Sequence, residues 1–312
     1  MDLDNFYLNK TQESLAFDND CLISKTTKVP IIKSIPRFVD DKNYAISFGK
    51  QWNTFQQTQL DSFTGSPISL NRLETALQTS IQDLNGIKVL EAGSGAGRFT
   101  EILARSNSEI YTFDISNAIE ANWKNNNKFN NLTFFQANIE DIPFKDNFFD
   151  LIICLGVIQH TPSSEKTIKE LHRVVKPNGR IVFDHYKKHI GHYFSLYIPI
   201  WHIIKRLPKD LQLKTTNFLT KIFFPIHWVF RNSNLMQFLL RRISPISFYY
   251  GQFDLSKEMH FEFSKLDTHD KNTDVYKHHL SEKDLVLILK SIGITKFEIS
   301  HRGNGLECIV IK

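Results

Sequence analysis

Short apolar segments alternate with helical segments between residues 86 and 184. This alternation predicts parallel strands joined by crossover helices. The strands are continuous apolar runs, as expected where helices cover both faces of a sheet. Five strands are predicted, over residues 87–91, 109–114, 132–136, 148–154 and 179–184. The fold class is therefore α/β, with a doubly wound, Rossmann-like sheet.

The flanking segments predict how this sheet is completed. Ser281 and Asp284 are expected to cap a helix, and the turn-forming RGNG joins two further strands over 296–300 and 306–312 as a terminal hairpin. Residues before about 45 are expected to form an irregular polar arm, with Pro30 and Pro36 keeping it extended. We expect four parts: an N-terminal arm and cap segment (1–69), the α/β core (70–184), an insertion (185–277), and a last helix with the hairpin (278–312).

The composition excludes several classes of protein. With 41% hydrophobic and 23% charged residues the chain is not globally disordered. Cys21, Cys154 and Cys308 are far apart and odd in number, so they predict neither a disulfide framework nor a zinc site. No signal-peptide pattern and no 18-residue apolar run is found. We expect a cytoplasmic protein without a bound metal.

The string VLEAGSGAGRFT is the most informative part of the chain. It joins the end of a strand to the start of a helix through one acid and three glycines: Glu91, Gly93, Gly95 and Gly97. Glycines permit a tight turn and a close approach of a ligand to the main chain. Asp114 ends the next strand, 21 residues after Gly93. That position is expected to hold the hydroxyls of a ribose.

The loops after the next three strands open at the same edge, where open α/β sheets bind ligands. Asn138 and Ile139 follow strand three, so an amide could read an adenine edge while an aliphatic side chain packs on the ring. LGVIQHTP follows strand four, and His185 and Tyr186 follow strand five.

Together these segments resemble the catalytic domain of class I S-adenosylmethionine-dependent methyltransferases, of the methyltransferase type 11-like group. The matching pieces lie within residues 87–184: the glycine loop, Asp114, NIEDIPF, FFDLIICLGVIQH and VVKPNGRIVF. The resemblance implies S-adenosylmethionine as cofactor and a seven-stranded sheet with a reversed last strand. Asn138 departs from the family, which often has Asp there.

The resemblance also implies roles for the matched residues. The cofactor-binding residues it implies are Glu91, Gly93, Gly95 and Gly97 for the amino-acid end, Asp114 and Ile115 for the ribose and adenine, Asn138 and Ile139 for the base, and Leu155 for the methionine arm.

An oxygen nucleophile must lose a proton before or during methyl transfer, and a histidine suits that task. His160 is the first candidate base; a supporting or capping role at the following helix is the alternative. His185 and Tyr186 are weaker candidates, since an exposed loop explains them equally well. His269 could belong to a substrate lid or to a polar turn.

Four outer segments are similar to flanking motifs of bacterial methyltransferases of cell-surface glycan biosynthesis: IPRFV, SFGKQW, TQLDSFTG and LDTHD. This similarity implies O-directed transfer to a sugar or a lipid-linked glycan precursor, with the insertion as the acceptor lid.

The insertion has a composition of its own. Residues 187–250 contain ten Lys and Arg and one acid, Asp210, among many aromatic residues. Three interpretations are open: a helical cap with a solvated charged face, contact with an anionic membrane surface, or contact with RNA. RNA ranks last, because no recognised RNA-binding module accompanies the charge.

Two other functions compete with methyl transfer. An NAD-dependent oxidoreductase could use the same turn, but Gly97 follows Gly95 by two residues where the dinucleotide fingerprint needs three. A non-catalytic, methyltransferase-like binding protein is the other alternative.

Overall fold

The N-terminal region folds into short strands. The computed structural model describes residues 5–40, 43–189 and 197–312. Its first strands are β1 (Tyr7–Leu8), β2 (Glu13–Ser14), β3 (Ala16–Asp18), β4 (Cys21–Ile23), β5 (Lys28–Ile32) and β6 (Ile35–Pro36). β1 pairs with β2, and β3 to β6 form an antiparallel sheet.

These strands pack on the main sheet. Phe6, Leu15, Leu22 and Val29 are buried in the same apolar cluster as one face of the core. The expectation of an irregular arm is therefore wrong. Each strand is two to five residues long and contributes at most two buried side chains, so no periodicity marks it.

Three helices lead into the core: α1 (Ile46–Thr54), α2 (Asp61–Thr64) and α3 (Ile68–Leu77). The core follows as β7 (Asn85–Ala92), α4 (Arg98–Leu103), β8 (Asn107–Asp114), α5 (Ala118–Asn126), β9 (Leu132–Gln136), β10 (Phe149–Cys154), α6 (Ser164–Val174) and β11 (Val175–Tyr186). The helical insertion comprises α7 (Tyr197–Ile204), α8 (Lys209–Val229), α9 (Asn234–Ile243) and α10 (Lys257–Thr273). The chain closes with α11 (Glu282–Ser291), β12 (Phe297–Ser300) and β13 (Gly305–Ile311).

The main sheet has seven strands in the order β12-β13-β11-β10-β7-β8-β9. All neighbouring pairs from β11 to β9 are parallel, whereas β13 runs antiparallel to both β11 and β12. The predicted α/β fold with a reversed last strand is confirmed. The strand order changes direction between β7 and β10, which is where such sheets open a ligand crevice.

Local capping signals set the helix ends beside this crevice. Ser281 accepts from the backbone of Asp284 and the two side chains form the predicted capping box of α11. Helix α6 begins at Ser164, after the N-cap Ser163. Residues 158–160 instead form a 3₁₀ turn that ends at His160.

The insertion is helical, as its composition suggested. Helix α10 packs against α1, α7 and α8, and so links the insertion to the crevice side of the core. Within the described ranges, none of the helices has both the length and the apolarity needed to cross a membrane.

Candidate active site

A cavity of about 510 Å³ opens at the carboxyl edge of the sheet, beside β7, β8 and β10. Most of the predicted site residues meet in it. Those that line the cavity are Gly93, Gly95, Asp114, Ile115, Ile139, Leu155, His160 and Tyr186.

The glycine turn forms one wall and has the expected backbone. Gly93 has φ +80°, and a Cβ there would lie 2.5 Å from Cγ2 of Val157. The amides of Gly93 and Ser94 both donate to the carbonyl of Phe113, each at 2.9 Å, so the turn is tied to β8. An alanine at Gly93 would be strained by both its φ and its neighbour.

Asp114 closes the turn from the neighbouring strand. Its Oδ2 accepts from the amide of Gly95 at 3.0 Å, and its Oδ1 accepts from the amide and hydroxyl of Ser116 at 2.8 and 2.7 Å. Burial raises the pKa of Asp114, although these hydrogen bonds act to lower it. A carboxylate held this firmly at the cavity can also accept from ligand hydroxyls, because each oxygen has two lone pairs.

Three predicted cofactor residues do not line the cavity. Gly97 is the N-cap of α4, and a Cβ there would overlap Asn122. Oδ1 of Asn138 accepts from the amide of Glu140 at 3.0 Å, so this side chain is folded onto its own loop. Asn138 thus lies outside the cavity lining, and its expected contact with the adenine stays a prediction.

Glu91 is the third of these residues. Its Oε2 accepts from the hydroxyls of Thr100 and Thr112 below the turn. Burial raises its pKa to about 7. Glu91 therefore supports the turn from beneath through Oε2, and its expected interaction with a ligand's ammonium group stays a prediction.

The cavity fits a polar, nucleoside-containing ligand such as S-adenosylmethionine. Within the described residues, the buried hydroxyl of Ser94 in the turn has no hydrogen-bond partner. Apolar side chains of Ile115, Ile139 and Leu155 stand beside the Asp114 carboxylate. A base could stack on the apolar side chains, while the ribose and the polar tail find partners at the turn.

His160 lies at the cavity with one ring nitrogen engaged. Its Nδ1 is 3.3 Å from Oδ2 of Asp274 and 3.3 Å from the carbonyl oxygen of Tyr276. Burial disfavours the imidazolium, but the hydrogen bond and charge of Asp274 outweigh burial, and the pKa of His160 is raised. The arrangement is that of a histidine oriented by a carboxylate, which suits proton transfer.

His185 and Tyr186 are neighbours on β11, but their side chains lie in different environments. Tyr186 lines the cavity, and its ring meets that of His160 edge-on at 5.4 Å. His185 is buried away from the cavity, with Nε2 3.0 Å from the Ser164 hydroxyl and Nδ1 3.1 Å from the Tyr186 carbonyl oxygen. Burial lowers the pKa of His185 to about 4. The structure thus corrects its placement among the candidate bases.

Sequence analysis missed the wall opposite the turn. Asp267 and Asp270 of α10 line the cavity, together with Gln51 of α1. Nε2 of Gln51 donates to Asp270 at 3.2 Å, while its buried Oε1 has no partner among the described residues. Burial and the nearby Asp270 raise the pKa of Asp267 to about 7. The three-residue spacing of the two acids was the available signal.

His269 lies next to this wall but faces the other way. Its Nδ1 is 3.0 Å from the hydroxyl of Thr216 on α8. It therefore joins two helices of the insertion and does not lie in a polar turn.

The sequence of the crevice matches a known family. Residues 90–183 match the family model described as "Methyltransferase domain". This region of the chain is similar to methyltransferase domains. It contains the glycine turn, Asp114 and His160, and the match supports the expected methyltransferase class with S-adenosylmethionine as the cofactor.

Curated relatives match over the same region. Demethylmenaquinone methyltransferase of Tropheryma whipplei is 30% identical over 40% of this chain and 52% of its own length. Malonyl-[acyl-carrier protein] O-methyltransferase of Buchnera aphidicola is 30% identical over 46% of this chain and 55% of its own.

The chain spans about half the length of these relatives, so the activity and acceptor of the whole protein are proposals.

A solved structure described as an S-adenosylmethionine-dependent methyltransferase from Methanococcus maripaludis aligns with 87% of this chain and 95% of its own chain. The sequence identity is 17% and the TM-score is 0.47.

Proposed function

We propose that the whole protein transfers a methyl group from S-adenosylmethionine to a hydroxyl oxygen of an acceptor held against α10. The observation that carries this proposal is the meeting of the glycine turn, Asp114 and His160 in one cavity, with Asp274 beside His160. When bound, the cofactor supplies an electrophilic methyl group on a sulfonium centre.

The residues of the chain would supply position and proton transfer. The amides of the turn and Asp114 would hold the donor, and the cavity walls would exclude water. Alignment of this kind lowers a barrier by about 7–11 kcal/mol. Because Nδ1 of His160 faces Asp274 and the Tyr276 carbonyl, Nε2 would accept the acceptor's proton.

The wall opposite the turn supports a hydroxyl-rich acceptor. Asp267, Asp270 and the unpartnered Oε1 of Gln51 offer hydrogen-bond acceptors in a buried setting. An aromatic ring against them would leave Oε1 of Gln51 and the remaining lone pairs of the carboxyl groups without hydrogen-bond partners, at a cost of about 1–3 kcal/mol for each unsatisfied group. Sugar hydroxyls would satisfy them, which favours the sugar or lipid-linked glycan precursor over a quinone.

Cations in the same cavity support an acceptor that also carries phosphate. Arg98 and Lys187 also line it, and the charge of Arg98 acts on the carboxyl group of Asp267. A lipid-linked or nucleotide-linked sugar presents both hydroxyls and phosphate, and so matches both the carboxyl groups and the cations.

The test combines calorimetry with a search for the product. The protein is titrated with S-adenosylmethionine and with NAD, then incubated with methyl-labelled cofactor and an extract of cells that express it. Mass spectrometry of the lipid and aqueous fractions locates the label. We expect micromolar binding of S-adenosylmethionine and a labelled methyl ether on a sugar.

The outcomes separate the alternatives. Binding of NAD without S-adenosylmethionine would refute methyl transfer. Label on a quinone ring or on a protein carboxyl group would refute the hydroxyl acceptor but would still show methyl transfer. Cofactor binding with no labelled product in any fraction would favour the non-catalytic binding protein.

A further inference from the structure

Helix α8 exposes many of its apolar residues. Its buried line is mainly polar: Gln212, Thr216, Thr220, Phe224 and His227. Its exposed line is apolar: Leu211, Phe218, Ile222, Ile226 and Val229. The second set recurs every three, four or seven residues, so it forms one stripe along the helix. This is the reverse of a helix that covers a core with its apolar face.

Several buried polar groups of α8 make hydrogen bonds inside the insertion, which stabilises this orientation of the helix. The Thr216 hydroxyl contacts His269 of α10, and the Thr220 hydroxyl donates to the carbonyl of Thr216 at 2.9 Å. His227 meets Gln237 of α9, with Nδ1 2.9 Å from Oε1. The exposed apolar stripe is thus a consequence of specific packing inside the insertion.

Helix α9 repeats the pattern. It buries Gln237 and Leu240 and exposes Leu235, Phe238, Leu239 and Ile243. The side chains nearest the turn between the two helices are the most exposed, with Val229 at 70% and Leu235 at 68%. Together, the exposed residues of α8 and α9 form what we call the outer face. So many exposed apolar side chains in one segment indicate an interaction surface.

The charge beside the outer face has one sign. Residues 203–243 contain eight Lys and Arg and a single acid, Asp210, which is paired with Lys50 at 2.8 Å. Lys214 and Lys221 are exposed on the same side of α8 as Phe218. The guanidinium of Arg242 lies 4.3 Å from the ring centre of Phe238. Apolar side chains with a cationic border suit the boundary between acyl chains and anionic headgroups.

We propose that the outer face of α8 and α9 docks on the surface of an anionic lipid bilayer. The helices would lie in the interface, since none of those described can span it. The proposal concerns binding alone and does not depend on methyl transfer. It selects the membrane from the three interpretations of the insertion, because a solvated cap would expose polar rather than apolar residues.

The test is flotation of the full-length protein with vesicles, compared between neutral phosphatidylcholine and a mixture with about one-third phosphatidylglycerol. We expect flotation with the mixture and much weaker binding at high salt. The double substitution Val229→Ser and Leu235→Ser should weaken partitioning at least about tenfold. Lys214→Glu with Lys221→Glu should weaken it by about 25-fold or more, at roughly fivefold per charge.

Matched controls come from α11, on the closing part of the chain. Leu287 is 66% exposed, and Lys283 and Lys290 are exposed on the same helix. Leu287→Ser, and Lys283→Glu with Lys290→Glu, should leave flotation unchanged. All variants should keep the thermal midpoint of the parent, because only exposed side chains change.

Three results would overturn the proposal. The first is failure of the parent protein to float with anionic vesicles. The second is an equal loss of binding in the α11 controls. The third is a dimer, seen by light scattering, that the Val229→Ser and Leu235→Ser variant converts to a monomer, since the outer face would then join two copies of the chain.

Discussion

Removal of the Asp114 carboxylate tests the geometry of the cofactor site most directly. The expected ligand contacts are hydrogen bonds from two ribose hydroxyls to a charged group. Hydrogen bonds to charged groups contribute about 1.5–3 kcal/mol. Asp114→Ala should therefore raise the dissociation constant of S-adenosylmethionine at least about tenfold.

Part of that loss would come from the turn itself, because Asp114 also holds the amide of Gly95 and the Ser116 side chain. Ser116→Ala removes one of these internal bonds and leaves the carboxylate in place. It should change the dissociation constant by less than about threefold, which corresponds to the net effect of one neutral hydrogen bond.

Isothermal titration gives both constants, and thermal unfolding shows whether each variant remains folded. A folded Asp114→Ala protein that binds the cofactor within about twofold of the parent would refute the ribose assignment. An equal loss in the two variants would show that the carboxylate acts only through the turn.

Three further outcomes follow from the site. His160→Ala should lower turnover by about 10²–10⁴-fold with cofactor affinity nearly unchanged, and full activity would remove His160 as base. Turnover should rise with pH as His160 loses its proton. Because Asp274 raises the pKa of His160, Asp274→Asn should move the midpoint of the pH profile to lower pH. An unchanged midpoint would contradict the pairing of His160 with Asp274. Gly93→Ala should lower the free energy of unfolding by at least about 1–2 kcal/mol, since φ at this residue is +80°. Adding Val157→Ala should restore part of that free energy. A Gly93→Ala protein as stable as the parent would contradict the prediction.

Features encoded by neighbouring residues could be predicted from the sequence. The glycine turn, the acid at the end of β8 and the capping box of Ser281 and Asp284 depend on a few adjacent positions. Each of these appears in the structure where the spacing places it.

Features that depend on contacts between distant parts of the chain could not be predicted from the sequence. His185 and Tyr186 are adjacent, and strand geometry sends them to opposite sides, but only the packing of α6 shows which one meets the cavity. Asp267 and Asp270 are more than 150 residues from the glycine turn, so their helical spacing does not reveal what they face. The buried polar side chains of α8 are likewise explained only by a contact with another helix, that of Thr216 with His269.

Helix α10 serves two surfaces at once. Asp267 and Asp270 face the cavity, whereas His269, between them in sequence, holds α8 through Thr216. A shift of α8 is therefore transmitted to the two carboxyl groups through a single helix turn. Selection for altered acceptor preference should therefore recover substitutions such as Thr216→Val, which lie away from the cavity. Transfer of a relative's acceptor specificity to this protein would require α8 and α10 to be exchanged together.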